Sequence, residues 1–493
     1  MGGQSCFSVQ TWEMLVSVNR TNPEPSIAPR LSLWDTASII VGIVVGTAIF
    51  RSPTMVFQNA GGPGAALGLW LFGGVLAWCG AVCYAELATT YPRDGGDYEY
   101  LRRAFGPWCG FLFAWAQLTI IISGNIAIMA YAFADYGAHL LPDSKRGAVW
   151  LVIAPVVALS ALNALGVIAG KLVQNLLTGG KIVGLAALVL TGLWVAGSSN
   201  APPQAEAAVR QAASAKANAN LGLALVFVLY AYGGWSHAAF VAAEVRDQRR
   251  NLPRALVLGI ACVTLVYLAV NASYLAALGF DGARQTATPA ADVLQQAVGP
   301  WGDRAISLLV MISALGAING MILTGTRVYA TWGADYPALA WLGAWNRRAA
   351  APIAAIVTQA AIALLLILLV GTAVGRNLFD ATLRAVGLSG LPWERYSGGF
   401  ETLVAGSTPV FWLLTLLTGV SLIVLRRRDG DVPRPFATPM FPLPALVLCA
   451  TCVYMLWASL VYAQWLVLIG VVPLLVGGLL ALLMPCRSHE SAS

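Results

Sequence analysis

GIVVGTAIF, at residues 42–50, puts small residues into the middle of an apolar run of membrane length. YAYGGW, at residues 230–235, does the same in a second apolar run. A lipid bilayer tolerates irregular backbone only where that backbone faces protein or water. Glycine-interrupted segments at matching points of two halves are typical of proteins that bind a solute near the membrane midplane. The two segments therefore predict two broken helices around a solute site.

The composition places the chain in a membrane. Of the 493 residues, 58% are hydrophobic and 10% are charged, and the mean hydropathy is +0.73. This balance excludes a water-soluble domain. Counting runs of about 17 to 25 apolar residues as spans, we predict an all-α membrane protein with about twelve transmembrane helices. Their centres fall near residues 46, 76, 121, 160, 187, 232, 267, 317, 362, 413, 452 and 475.

The basic residues indicate how the chain is oriented. An even number of spans puts both termini on one side of the membrane. With the N-terminal tail and every second loop assigned to the cytoplasm, that side holds 17 of the 29 Lys and Arg residues, and the other side holds nine. Because positive charge favours the cytoplasmic side, we predict a multi-pass, lipid-embedded protein of the cell membrane with cytoplasmic N- and C-termini. The net charge of +7 follows from this bias, so no nucleic acid partner is expected.

The sequence shows no catalytic or metal-binding pattern. The three histidines are far apart, and we find neither a Ser/His/Asp grouping nor a metal-ligand spacing. Six of the eight cysteines lie in or at the ends of spans, where a cysteine is usually a small apolar side chain. We therefore expect no enzyme activity, no metal and no cofactor. The polar N-terminal tail lacks the apolar core of a signal peptide.

The spans divide into two blocks of five and a final pair. Because five is an odd number, the second block must enter the membrane from the side opposite to the first, which is the condition for an inverted repeat. The predicted domains are a cytoplasmic tail (1–33), a first five-helix repeat (34–197), an outer loop (198–219), a second five-helix repeat (220–425), two peripheral helices (426–485) and a cytoplasmic tail (486–493). One broken helix opens each repeat.

Four motifs follow one another along the first two thirds of the chain. They are GTAIF at 46–50, YAEL at 84–87 followed by PRDGGDY at 92–98, AYGGW at 231–235, and Glu244 followed by RNLP at 250–253. In these motifs the chain resembles the amino acid, polyamine and organocation (APC) transporter superfamily, and within it the L-type amino acid transporter family. The resemblance implies amino acid transport by a LeuT-type fold, which is a five-plus-five inverted repeat with two peripheral helices.

Backbone exposed at two helix breaks suits a zwitterion. Unwinding a helix frees N–H and C=O groups, and the fragment ends carry opposite partial charges. We expect the substrate carboxylate to accept from N–H groups at residues 46–48, and its ammonium to donate to carbonyls near Tyr230 and Ala231. The resemblance assigns the same segments to these two groups, although the family usually has glycine at the position of Ala48. The alternative is that the glycines serve helix packing.

These segments supply most of the predicted substrate-binding residues. By resemblance, Tyr230 is also an aromatic gate over the substrate; a packing role in the core is the alternative. Asn125, in the third span, is a polar side chain that could line the same cavity or make an interhelical hydrogen bond. The predicted set comprises Ile43, Gly46, Thr47, Ala48, Asn125, Tyr230, Ala231, Tyr232, Gly233 and Trp235.

A lysine lies inside the fifth span. Lys181 is ten residues from Lys171 at the cytoplasmic edge, which is about 15 Å along a helix. An ammonium in hydrocarbon costs at least about 2.5 kcal/mol and marks a functional site by default; snorkelling to the interface is the alternative. By resemblance, this ammonium lies near the first and eighth helices, where sodium-coupled relatives hold a cation, and Ser313 joins it as a cation-site surrogate. Transport without sodium is therefore expected.

Two carboxylates lie near the cytoplasmic ends of spans. Glu86 and Glu244 are within reach of the arginines in 93–103 or of Arg250. Ion pairs that form and break there could close an inner gate, and capping or orientation of the helices is the alternative reading.

The substrate class follows from what the breaks lack. Neither contains an acidic residue, so a cationic substrate side chain would find no partner there. The predicted function is sodium-independent transport of neutral L-amino acids by alternating access, as an exchanger. Proton-coupled uptake and an amino acid sensor on a transporter fold stay open as alternatives.

The outer loop from Asp135 to Trp150 contains no cysteine. By resemblance, animal members use a cysteine there to bond a heavy chain, so we expect this chain to function alone.

Overall fold

The fold is built of helices. A computed structural model describes residues 29–140, 148–198, 219–346, 348–385, 387, 390–391, 393 and 399–486. Within these ranges the chain forms α-helices joined by short turns, together with one π-helical stretch and a few short 3-10 segments. The β pairing in this part of the chain is limited to two isolated bridges. The all-α prediction is confirmed.

The first half of the chain contributes helices α1 to α8. These are α1 (Leu33–Val44), α2 (Ala48–Asn59), α3 (Pro63–Thr90), α4 (Asp97–Phe105), α5 (Pro107–Ala116), α6 (Ile122–Leu140), α7 (Ala148–Ala164) and α8 (Val167–Gly197). The π-helical stretch, Gln117–Ile121, joins α5 directly to α6. Ser32 caps α1 in a capping box with Asp35, which explains why the helix begins there.

The second half contributes helices α9 to α18. These are α9 (Leu221–Ala231), α10 (His237–Phe240), α11 (Gln248–Gln285), α12 (Pro289–Val298), α13 (Trp301–Asp335), α14 (Ile353–Gly371), α15 (Ala373–Ala385), α16 (Gly399–Arg428), α17 (Leu443–Ala463) and α18 (Leu468–Leu483). α11 is kinked at Gly279, where φ is 68°.

Length and hydropathy identify the helices that span a membrane. Among the described residues, eight helical stretches are long and apolar enough to cross a bilayer, and α1 with α2, bent by 51°, makes a ninth. One of the eight, Leu443–Leu483, contains both α17 and α18, and α7 and α9 are shorter apolar helices. Each of the twelve apolar runs coincides with a helix or with the break inside a broken one, so the chain is a multi-pass membrane protein.

Both ends of the described chain lie on one face of the bundle. Leu31 forms a parallel bridge with Val245, and the Sγ of Cys486 lies 3.8 Å from the carbonyl oxygen of Asp335. The loop between α3 and α4 hydrogen-bonds to both places. We call this side the terminal face, and the side where α2 ends and α9 begins the opposite face. Which of them is cytoplasmic stays a prediction.

Matching spans of the two halves pack against each other. α2 lies against α9, α3 against α11, and α6 against α13, while α1 packs on both α11 and α13. The two broken helices are therefore neighbours inside the bundle. The division into repeats stays a prediction, and the tail 1–33, the loop 198–219 and the tail 486–493 lie almost wholly outside the described residues.

Candidate functional site

The first helix break lies between α1 and α2. α1 ends at Val44, α2 begins at Ala48, and the pair is bent by 51°. The N–H of Gly46 donates to the carbonyl of Val44 at 2.7 Å in a γ-turn. Within the described chain, the N–H groups of Thr47 and Ala48 have no hydrogen-bond partner. The positive end of the α2 dipole is therefore open to an anionic group.

The second helix break lies between α9 and α10. α9 ends at Ala231, and α10 begins at His237. The N–H of Gly233 donates to the carbonyl of Tyr230 at 3.2 Å, which replaces the bond to the carbonyl four residues back that a continuing helix would make. Gly234 has a φ of +103°, a conformation that glycine adopts freely and other residues avoid. The chain leaves the helix here because two successive glycines allow it.

The two breaks touch each other. A Cβ added to Gly234 would lie 2.7 Å from Cγ2 of Ile43, so the second break approaches the first only because this residue has no side chain. The hydroxyl of Tyr267, on α11, lies 2.9 Å from the carbonyl oxygen of Val44 and 2.8 Å from that of Ala231. A single hydroxyl thus bridges the backbone of both breaks.

A cavity of about 110 Å³ lies where the breaks meet. Most of the residues expected from the sequence line it, and they come from the first break, the third span and the second break. These are Ile43, Gly46, Thr47, Ala48, Asn125, Tyr230, Ala231 and Gly233. In the part of the chain that the structure describes, no Asp, Glu, Lys or Arg lines this cavity.

Tyr232 and Trp235 lie away from this cavity. Tyr232 is buried and donates from its hydroxyl to the carbonyl of Trp70 at 3.0 Å. Trp235 packs edge-on against the ring of Tyr84 at 4.8 Å, and a Cβ added to Gly80 would lie 2.4 Å from the Trp235 ring. Both side chains line a smaller neighbouring pocket. Their contacts attach the second break to α3.

Lys181 and Ser313 bind carbonyl groups at the first break. Lys181 is fully buried on α8 and donates from Nζ to the carbonyl of Gly42 at 2.7 Å. Ser313, on α13, directs its Oγ to the carbonyls of Val45 and Gly46 at 2.9 and 3.0 Å. Unwound backbone carbonyls of this kind coordinate sodium in transporters. Over the described ranges, no group of three or more His, Cys, Asp or Glu side chains is placed to hold a metal ion.

Several residues that line the cavity carry no distinguishing sequence signal. They are Met129 of α6, Leu229 of α9, His237 of α10, Ala317 and Met321 of α13, and Ser407, Thr408, Phe411 and Trp412 of α16. Most are apolar or small residues in apolar helices, and helical periodicity alone does not say which face of a fully buried helix turns to a cavity. The sequence also gives no signal for Tyr267, because the two carbonyls that its hydroxyl contacts belong to segments far from it along the chain.

A buried ion pair follows the second break at the terminal face. Glu244 accepts from Nε of Arg327, on α13, at 2.7 Å, and the two side chains are only 1% and 2% exposed. The guanidinium also lies over the ring of Trp345 at 5.6 Å. Glu244 thus pairs with none of the arginines expected from the sequence, because the segment after the break turns it inward to α13 and leaves Arg250 exposed.

Glu86 is also paired with arginines from far along the chain. It lies 2.6 Å from Arg426, at the end of α16, and 3.2 Å from Arg434. The expectation that it pairs with arginines in 93–103 is therefore wrong. Arg93 instead pairs with Asp335 at 2.6 Å. These pairs connect α3, α13 and α16 at the terminal face.

On the opposite face, Arg51 connects three helices through looser contacts. Its guanidinium, on α2, lies 3.5 Å from Asp135 of α6 and 3.8 Å from Glu401 of α16. It also lies over the ring of Phe400 at 4.9 Å. All three charged side chains are about one-third or more exposed, and exposed pairs contribute little to stability. The opposite face is therefore held less firmly than the terminal face.

Comparison with known proteins gives matches along nearly the whole chain. A family model described as amino acid permease matches residues 31–470. The b(0,+)-type amino acid transporter 1 of Homo sapiens is 30% identical over 468 residues, which cover 92% of this chain and 87% of the relative. The protein of the same name from Mus musculus is 29% identical over 435 residues, which cover 86% and 81%. The large neutral amino acids transporter small subunit 2 of Mus musculus is 27% identical over 457 residues, which cover 88% and 77%.

Proposed function

This chain belongs to the amino acid permease family, and we propose that it exchanges neutral L-amino acids across the cell membrane by alternating access, without sodium. Transport of amino acids follows from the family and its members. The neutral substrate class, the exchange mode and the independence from sodium are the proposal. The observation that carries it is the cavity enclosed by backbone of two helix breaks.

The two breaks are suited to the two charges that all amino acids share. The α-carboxylate would accept from the open N–H groups of Thr47 and Ala48 at the start of α2. The α-ammonium would donate to the last carbonyls of α9, where the helix dipole is negative. The carbonyl of Ala231 accepts one hydrogen bond, from the hydroxyl of Tyr267, and keeps a second lone pair for the ammonium. That of Tyr230 already accepts from the N–H groups of Tyr232 and Gly233. Tyr230, on the cavity wall, is the proposed gate.

The cavity favours a small, uncharged side chain. With no Asp, Glu, Lys or Arg in the described lining, a charged substrate side chain would be buried without a partner. One water needs ~10–15 Å³, so a cavity of about 110 Å³ has room for several non-hydrogen atoms. That is the size of amino acids with small side chains, from alanine to asparagine. The methyl group of Ala48 and the ring of Tyr230 both take up space that a larger side chain would need.

The contacts of Lys181 and Ser313 support independence from sodium. At the first break the carbonyls of Gly42, Val45 and Gly46 already accept from the ammonium and the hydroxyl, and the positive charge of the ammonium would repel a sodium ion at the same place. An ammonium that substitutes for the ion supplies the same positive charge without a bound metal ion. A fixed charge suits exchange, because no ion has to be bound and released in each cycle.

The two faces support alternating access. The terminal face is closed by the buried pair of Glu244 and Arg327, and the opposite face is held by the partly exposed contacts of Arg51. Two gates of unequal strength around one cavity allow the cavity to open to one side at a time. Since the arginines of the terminal face outnumber those of the opposite face among the ion pairs described above, we propose that the terminal face is cytoplasmic.

We also propose that the chain works without a disulfide-linked partner. The segment from Asp135 to Trp150 contains no cysteine, and part of it, 141–147, lies outside the described residues. One relative is named a small subunit. Transport by the purified chain alone in lipid vesicles would distinguish a chain that works by itself from one that needs a partner subunit.

Uptake into proteoliposomes tests the proposed function. We expect labelled alanine or serine to enter vesicles preloaded with unlabelled alanine much faster than empty vesicles, at equal rates in sodium and in choline buffer. Loss of uptake in choline would overturn sodium independence. If uptake is equal in preloaded and empty vesicles but requires an inward proton gradient, the mechanism is proton-coupled uptake and not exchange. Binding without accumulation of label would identify a sensor instead.

A further inference from the structure

His237 is the one imidazole in the described lining of the cavity. It is the first residue of α10, directly after the second break, and its side chain is 94% buried, with 6% exposed. Its ring packs against that of Phe240, with the centroids 5.0 Å apart. The same lining includes apolar side chains such as those of Ile43 and Met321. A polar ring in such a wall affects what the cavity accepts.

A short hydrogen-bond chain determines which ring nitrogen carries the proton. Nδ1 of His237 lies 2.8 Å from Oγ1 of Thr324, and that hydroxyl donates to the carbonyl of Gly320 at 2.8 Å. A threonine hydroxyl has one proton, and here the carbonyl takes it. We therefore assign Oγ1 as the acceptor of the bond from the ring, with the hydrogen on Nδ1. In the neutral imidazole, Nε2 is therefore an acceptor.

This acceptor has no partner in the described part of the chain. The hydrogen bond to Thr324 involves Nδ1, no described residue contacts Nε2 at hydrogen-bond distance, and Nε2 is not among the sealed, unpaired polar atoms of the interior. The ring lines the cavity, so the Nε2 lone pair is available to the molecule that fills it. An apolar group placed there would leave a buried acceptor unpaired, which is costly.

We propose that Nε2 of His237 accepts a hydrogen bond from the side chain of the substrate, so that the site prefers amino acids with a neutral hydroxyl or carboxamide. This inference rests on the proposed function, in which the backbone of the breaks takes the α-carboxylate and α-ammonium. The His237 acceptor is then left for the side chain. Serine, threonine and asparagine supply a donor, whereas their aliphatic counterparts do not. His237 is a specificity-determining residue, and Thr324 is a positioning residue that acts through it.

Isosteric pairs of substrates test the proposal on the wild-type protein. Threonine and valine have nearly the same shape, as do asparagine and leucine, and only the first of each pair can donate. Competition against labelled alanine in proteoliposomes gives the affinity ratio within each pair. We expect ratios of about tenfold in favour of the donor. Equal affinities in both pairs would overturn the inference and leave the proposed function intact. Failure of alanine and of all four competitors to bind would instead contradict the proposed function.

Substitutions locate the preference at one atom. His237→Leu removes the acceptor, and the ratio should fall toward one; His237→Gln keeps an acceptor, and a ratio above one should persist. Thr324→Val removes the hydroxyl that holds the hydrogen on Nδ1, so either ring nitrogen can carry it and the ratio should fall. Thr324→Ser keeps the hydroxyl and should keep the wild-type ratio. Thr358→Val, on α14, removes a similar hydroxyl that bonds only to its own helix and should leave the ratio unchanged. A ratio in His237→Leu as high as in the wild type would overturn the assignment.

Discussion

Lys181 donates a hydrogen bond from Nζ to the carbonyl oxygen of Gly42 at 2.7 Å, although 139 residues separate them. The ammonium is fully buried, and its partner in the described chain is a backbone oxygen rather than a carboxylate. α8 therefore binds to the first break through a charge. If α1 moves away from α8, this hydrogen bond must break, unless the side chain of Lys181 moves with α1.

Lys181→Ala should impair exchange strongly. A hydrogen bond from a charged donor is worth about 1.5–3 kcal/mol, so the loss of uptake should be roughly tenfold to a hundredfold. Lys171→Ala is the matched control, because that lysine is partly exposed and pairs with Asp35 at the terminal face; it should cost much less. Initial rates at equal amounts of reconstituted protein measure both. Wild-type rates in Lys181→Ala would contradict the role given to this contact.

Tyr267→Phe should reduce uptake while the protein still folds. It removes the hydroxyl that bridges the carbonyls of Val44 and Ala231, at a cost of about 1 kcal/mol for a net hydrogen bond. Tyr274→Phe, on the same helix, is the matched control because its buried hydroxyl has no partner in the described chain; it should be neutral or slightly stabilising. Uptake and apparent Tm should be measured together. Equal behaviour of the two variants would argue against the bridge.

Gly234→Ala should disrupt the site. Its Cβ would lie 2.7 Å from Ile43, and its φ of +103° disfavours any side chain; the backbone strain alone costs about 1–2 kcal/mol. We expect weaker alanine binding and a lower apparent Tm. In Gly179→Ala, on α8, the added methyl group meets open space, so substrate affinity should be close to that of the wild type. Undiminished binding by Gly234→Ala would show that the breaks need not be in contact.

Asp94, in the loop between α3 and α4, should make stability fall as the pH rises. Burial, together with the nearby charge of Glu244, raises the pKa of Asp94 from 3.8 to about 7. The folded protein therefore holds a proton that the unfolded chain has already lost, so stability decreases with pH between these two values. In Asp94→Asn this contribution disappears, and the side-chain oxygen can still accept from the N–H of Ala243, as Oδ1 does at 3.0 Å.

Apparent Tm across this pH window, with wild type and Asp94→Asn compared at each pH, measures the effect of Asp94 alone. The comparison is needed because burial also raises the pKa of Asp97 to about 6, which gives a slope of the same sign in both proteins. Parallel Tm curves would show that Asp94 does not titrate in this window.

The broken helices and the buried lysine could be predicted because their physical signals are local. Glycines in an apolar run, and one ammonium in the middle of another, conflict with the membrane unless they have a function. The sequence order of residues 42–50 was enough to indicate the first break, and it forms between Val44 and Ala48. Eight of the expected binding residues then line one cavity.

The remainder of the site depends on long-range packing. The unwound stretch after Tyr230 changes the direction of each following side chain, so the spacing of residues does not show that Tyr232 and Trp235 face α3. The partners of Glu86 and Glu244 come from α16 and α13. Such pairs are decided by how helices are arranged in space, which the hydropathy of each helix does not specify.

The bridge between Leu31 and Val245 has a consequence for how the carrier can be observed. The N–H groups of Arg30 and Leu31 both donate to one carbonyl, that of Glu244, at 2.9 Å, so both bonds break when the start of α1 swings away. Their amide hydrogens would then exchange with deuterium only while the cavity is open to that side. The rate of deuterium uptake at Arg30 and Leu31 would therefore report how often the cavity opens to that side, without a radioactive solute.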